Sequence, residues 1–166
     1  IGKYLGAVAA LGMMIGLMLV VLLAVSAIQF KPFTLADAAN LAYQPLMYFF
    51  QMSLLAAVAI LFSTFVTPLV NFFLSSGTFI AGTTFSTLFQ TLTENRDTAP
   101  LIKSITWFVQ FLLPNFGRFA VQNQITNPGQ EIVNPVGYFV GSVVYSVTYI
   151  GAMIALACII FDRREV

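Results

Sequence analysis

The residues of this chain that could do chemistry are few, and most of them are hydroxyls and amides. Between positions 75 and 91 stand Ser75, Ser76, Thr78, Thr83, Thr84, Ser86, Thr87 and Thr91. In an apolar helix such hydroxyls either bond back to their own carbonyls or face a hydrated path or a partner helix. Gln51 and Asn71 are the other polar candidates in apolar surroundings. The path reading singles out Gln51, Thr83, Thr84 and Thr87. Catalysis finds less to work with. Histidine is absent, which removes the commonest metal ligand and general base. Cys158 is the one cysteine, so neither an intrachain disulfide nor a thiolate cluster can form. Met13, Met14, Met18, Met47, Met52 and Met153 read as gap-filling apolar side chains rather than a soft-metal relay. The only Gly-Lys pair, Gly2-Lys3, is followed by Tyr4 and lacks an upstream glycine loop, so there is no P-loop. Neither G-x-S-x-G nor H-E-x-x-H occurs. No catalytic, metal-binding or cofactor-binding residue is assigned, and no cofactor and no enzymatic activity are expected of the chain by itself.

Composition says what must position these residues. Of 166 residues, 59% are hydrophobic and 8% charged, against roughly a quarter charged in a soluble domain. Mean hydropathy is +0.91. So little charge cannot cover so much apolar surface in water, and the solvent for most of the chain is expected to be lipid. Net charge is +1, which gives no field to attract nucleic acid. The chain opens on Ile1, without a basic region or a small-residue cleavage site, and reads as a piece of a longer protein.

Charges divide the chain into spans. Tyr4 to Phe30 carry none, which exceeds the ~20 residues a helix needs to cross the hydrocarbon. Lys31-Pro32 ends this run, and 31–44 reads as a connector with Asp37 its only acid. Ala38 to Thr93 are again uncharged. As one helix they would reach roughly 84 Å, far beyond a bilayer of ~30 Å. They are expected to fold as two spans broken at Thr67-Pro68, with Pro45 in the first turn of the earlier one. Val136 to Phe161 form the last run, closed by Asp162 to Glu165. The expected fold is an all-α membrane protein of four transmembrane helices, at about 4–30, 45–66, 70–92 and 136–161. A short re-entrant or interfacial helical segment, about 99–117, precedes the last helix. Lys3 and Arg163-Arg164 flank the termini while the loops are charge-balanced, which puts both ends in the cytoplasm and 93–135 outside.

Within that outer segment, ITWFVQFLLPNFGRF (105–119) is too short to span and too apolar for an ordinary loop. Irregular backbone at membrane depth is tolerated where protein or a water-filled cavity surrounds it. Ile105 to Leu113 should dip into the outer leaflet as a short helix, with Trp107 near the headgroups. Pro114-Asn115 should then turn the chain back toward Arg118 and water. Trp107, Phe111, Pro114 and Asn115 are the candidate external cap. Glycines four apart allow close helix approach in lipid, which marks Gly12 with Gly16 and Gly137 with Gly141 as candidate packing pairs.

Taken in order, GKYLG (2–6), FSTFVTPLV (62–70), FLLPNFGRF (111–119) and the tail FDRREV (161–166) resemble the ABC-2 type permeases. These are the membrane subunits of one class of ATP-driven exporters. The LLPNFGRF element and the tail with Phe161, Arg163 and Arg164 are most similar to the subgroup of multicopper enzyme maturation and nitrous oxide reductase assembly. The resemblance covers the whole chain through loose, mostly apolar motifs. It implies a six-span subunit of the cell membrane, of which this chain holds the last four spans as the C-terminal part of a single membrane domain. It further implies a second permease subunit, identical or different, two separate ATP-binding cassette subunits, and short re-entrant outer helices before the last span. A non-transporting structural or anchoring subunit of a larger complex is the alternative, favoured by the lack of charge within the spans. A secondary transporter would show inverted repeats, and none is evident.

Overall fold

The computed structural model describes residues 2–29, 34–94, 104, 113–119 and 135–162, without the side chains of Ala36, 85–94 and Pro135. Four long helices dominate them: α1 (Gly2–Gln29), α2 (Leu35–Ser63), α3 (Pro68–Glu94) and α4 (Pro135–Asp162). A 3-10 turn, Phe116–Phe119, lies between α3 and α4 in sequence. No strand occurs among the described residues.

Three of these helices, α1, α2 and α4, are long and apolar enough to cross a membrane. Each would reach about 42 Å at 1.5 Å per residue, against ~30 Å of hydrocarbon. The chain is thus a multi-pass membrane protein by length and composition. α3 is as long and, with its row of hydroxyls, somewhat less apolar on average than the others. The apolar side chains point outward. Ile28 is 76% exposed, Met13 73% and Leu69 69%. A water-soluble monomer does not carry such a surface, whereas lipid solvates it.

α2 begins ten residues earlier than the proline signal suggests. Thr34 is its N-cap: the Asp37 backbone N–H donates to Thr34 Oγ1 at 3.3 Å, and the Thr34 backbone N–H donates to Asp37 Oδ2 at 3.0 Å. This reciprocal pair satisfies two amides at the helix start. Residues 35–44 are therefore helix rather than connector, and Pro45 lies buried inside the helix instead of in its first turn. Its ring costs one backbone hydrogen bond there but does not end the helix.

The break between α2 and α3 falls where Pro68 dictates. Ser63 Oγ and Thr64 Oγ1 donate to the carbonyls of Ile60 and Leu61, each at 2.7 Å, closing the end of α2. Pro68 then occupies the first position of α3, where its missing N–H has no helical partner to lose.

α2 is the central element. It packs against α1, α3, α4 and the 3-10 turn. The core joins Met47 and Leu54 of α2 to Phe116 and Phe119 of the turn, all four at 0% exposure. Tyr43 and Phe50 of α2 meet Phe139 of α4 with ring centroids 5.6 and 6.2 Å apart. α1 is the peripheral helix, with only Tyr4 and Ser26 buried. Tyr4 donates its hydroxyl to the Ser53 carbonyl of α2 at 3.4 Å.

Candidate functional site

The segment PNFGRF (114–119) turns into the bundle, and its irregular backbone has to be satisfied there. The local groups do part of this. The Phe116 N–H donates to the Pro114 carbonyl at 3.0 Å, and the Arg118 N–H donates to Asn115 Oδ1 at 3.1 Å. The surrounding helices supply more. Gln51 of α2 donates Nε2 to the Phe116 carbonyl at 3.1 Å. Tyr145 of α4 accepts the Asn115 N–H on its hydroxyl at 2.9 Å. Tyr138 of α4 donates its hydroxyl to the Arg118 carbonyl at 2.6 Å. Each bond replaces one that water would otherwise provide.

Apolar contact completes the seat. Phe116 packs on Phe79 of α3 at 5.3 Å between ring centroids, and Phe119 on Tyr145 at 6.4 Å. Gly82 of α3 makes the close approach feasible. A methyl group at position 82 would run into the Pro114 carbonyl and come within 2.6 Å of the Phe116 ring. Gln51 and Gly82 both lie near the middle of their helices, so the turn reaches about half the bundle's length inward.

Arg118 departs from the sequence expectation that placed it in water. Its guanidinium lies half-buried over the rings of Tyr138 and Tyr145, 5.9 and 5.6 Å from their centroids. Nε donates to Ser142 Oγ at 3.3 Å, and that hydroxyl donates onward to the Tyr138 carbonyl at 2.8 Å. Cation–π attraction and the thin polar contact hold the side chain against α4, so the turn keeps its charge near protein rather than swinging it out.

The candidate residues therefore fall in different places. Gln51, Pro114 and Asn115 come together at the inward turn. Pro114 is buried and Asn115 half-buried. Trp107 and Phe111 lie outside the described residues, as does all of the expected 105–113 dip except Leu113. Thr83 donates to the carbonyls of Phe79 and Ile80, both at 2.9 Å, and Thr78 to that of Leu74 at 2.7 Å, which is the back-bonding alternative for hydroxyls. Thr84 is exposed on the outer side of the described bundle, and the side chain of Thr87 is not among those described. Gly12 meets the Phe49 ring of α2 at 3.4 Å from a would-be Cβ, while Gly16 faces open space. Within this chain the pair brings a glycine to a ring, not backbone to backbone. Gly137 is exposed, and Gly141 seats the guanidinium, with Arg118 Nη2 at 3.2 Å from a would-be Cβ.

Several residues of the site carried no signal of their own. Tyr138 read as an interfacial ring near a span end and Tyr145 as an ordinary aromatic of an apolar span, yet their hydroxyls are the polar clamps. Ser142 and Ser146 are fully buried on the α4 face that includes Phe139. They form a small pair four residues apart, outside the G-x-x-x-G pattern. Gly82 belongs to no G-x-x-x-G pair. Gln51 also holds one unexplained atom: its Oε1 is buried without a partner among the described residues. No group of metal-ligating side chains occurs among the described residues. No family model, curated protein or solved structure matches the chain.

Proposed function

We propose that this chain is part of the permease subunit of an ABC-type exporter. It forms half of a translocation path, and separate ATP-binding subunits supply the energy. The observation that carries the reading is the PNFGRF turn, packed inward between α2, α3 and α4 at the place where the resemblance expects a re-entrant element. In this reading α3 also spans the membrane, as the third of four spans in this chain. Both ends lie in the cytoplasm of a cell or plasma membrane, and the turn forms part of an outer cap. Support for a path comes from Gln51, whose buried Oε1, without a partner among the described residues, offers an acceptor near the middle of α2. A second permease subunit would complete the path. The sequence lacks a P-loop, in keeping with ATP hydrolysis on another chain.

The decisive experiment is co-purification of the full-length protein with its ATP-binding subunit, followed by an ATPase assay of the complex in lipid. The exporter reading expects the membrane subunit to raise the rate and a transported substrate to change it further. A stable complex whose rate responds to neither would instead establish the anchoring subunit. That second reading is favoured by the uncharged interiors of α1, α3 and α4.

A further inference from the structure

Arg118 has donors to spare. A guanidinium carries five N–H groups in a planar fork. One of them, on Nε, is used by Ser142. The four on Nη1 and Nη2 have no acceptor among the described residues. The two tyrosine rings engage the face of the group, whereas hydrogen bonds leave from its edge. Stacking therefore fixes the plane without consuming the donors. Gly141, with no Cβ, lets the group lie flat on α4. Among the described residues, those that hydrogen-bond to it or stack under it are a serine and two tyrosines, none of them a carboxylate.

Depth points to the acceptor. Ser142 is the eighth residue of α4 and lies about 10 Å from its start at Pro135. If α4, at about 42 Å, is centred on a ~30 Å hydrocarbon, it overhangs by roughly 6 Å at each end. The guanidinium then falls just inside the boundary where lipid phosphates begin. A partly exposed arginine at this level reaches the interface with its edge. A planar fork matches the paired oxygens of a phosphate group, and basic pockets between membrane helices take such headgroups.

We infer that Arg118, oriented by Ser142, Tyr138 and Tyr145, is a binding site for a phosphate group at the membrane boundary. The group comes either from an anionic phospholipid or from a free phosphate. This inference does not depend on transport, because binding alone reads it out.

The full-length protein in a neutral detergent is titrated with short-chain phosphatidylglycerol, short-chain phosphatidylcholine and inorganic phosphate, and binding is followed by native mass spectrometry and thermal shift. Saturable binding of phosphatidylglycerol, at least tenfold weaker in Arg118→Gln and several-fold weaker in Arg118→Lys, is the expected result. The lysine variant keeps the charge and loses the fork. Ser142→Ala keeps the arginine and frees Nε, and it should weaken binding by a smaller factor, so a misfolded glutamine variant does not end the test. Equal protection by inorganic phosphate assigns the site to free phosphate, and its absence assigns it to lipid. Either outcome supports the inference. Binding unchanged by all three substitutions, or no saturable binding of any phosphate compound, overturns it.

Discussion

Replacing Gly82 by alanine tests the inward seat of PNFGRF directly. Two effects oppose each other. Alanine favours a helix over glycine by about 1 kcal/mol. Against this, the new methyl would run into the Pro114 carbonyl and lie 2.6 Å from the Phe116 ring. A ring can turn aside, but the carbonyl belongs to a backbone held by the Asn115–Tyr145 and Gln51–Phe116 bonds. Forced overpacking of this kind costs about 1–3 kcal/mol. Gly77, one and a half turns earlier on α3, has nothing within 4 Å of a would-be Cβ. Gly77→Ala therefore keeps the helix gain and lacks the clash, so comparing the two variants cancels the propensity effect. The expected gap is the clash itself, about 1–3 kcal/mol. For a chain of this size that corresponds to roughly 2–12 °C in apparent melting temperature. Thermal unfolding in detergent at one fixed scan rate measures it. Labelling of a single cysteine at Asn115, after the exposed Cys158 has been replaced by serine, reports whether the turn has left its seat. Equal melting temperatures for the two alanine variants, with no rise in labelling for Gly82→Ala, would refute the close approach.

Three further outcomes follow from the same contacts. Gln51→Met keeps the shape and strips the Phe116 carbonyl of its donor, so it should destabilise by about 1–2 kcal/mol; a melting temperature equal to the parent's contradicts the bond. Tyr145→Phe leaves the Asn115 N–H without an acceptor and should cost about 1 kcal/mol; here too a melting temperature equal to the parent's contradicts that bond. Thr34→Ala removes the cap of α2, and hydrogen exchange should quicken at residues 36–38 while the global melting temperature hardly moves; unchanged exchange at those amides would place the helix start elsewhere.

The apolar helices were legible because lipid imposes one rule, that every backbone group pairs within its own segment, and uncharged runs of the right length obey it. The break at Pro68 was legible for the same reason: a missing N–H is tolerated at a helix start. Pro45 misled because the same logic was applied to a residue that α2 accommodates in its interior. The Thr34–Asp37 pair three residues apart was the stronger signal for the start of that helix. The inward turn of PNFGRF was half legible. Its short apolar run and Pro114 required protected surroundings, but the partners that provide them are long-range. Tyr138, Tyr145 and Gly82 gain their roles from being 20 to 32 positions away from the turn and next to it in space. Arg118 was misplaced because charge alone predicts water, while a guanidinium also has a face that aromatic rings satisfy.

These polar contacts also explain how such an apolar bundle is held in register. In lipid, apolar side chains gain little by meeting one another rather than the acyl chains, so packing and hydrogen bonds between elements decide association. Thr78, Thr83, Ser146 and Thr148 bond back to carbonyls of their own helices. Those bonds satisfy the hydroxyls locally and leave helix positions undetermined. Gln51, Tyr138, Ser142 and Tyr145 instead all direct a bond to residues 115–118. The irregular segment thus acts as a shared acceptor and donor that fixes α2 relative to α4, while Phe79 and Gly82 fix α3 against it. At about 0.5–1.5 kcal/mol for each net bond, the four together contribute roughly 2–6 kcal/mol. That is a large part of the marginal stability of a folded chain, so one short irregular segment can set the register of the helices that surround it.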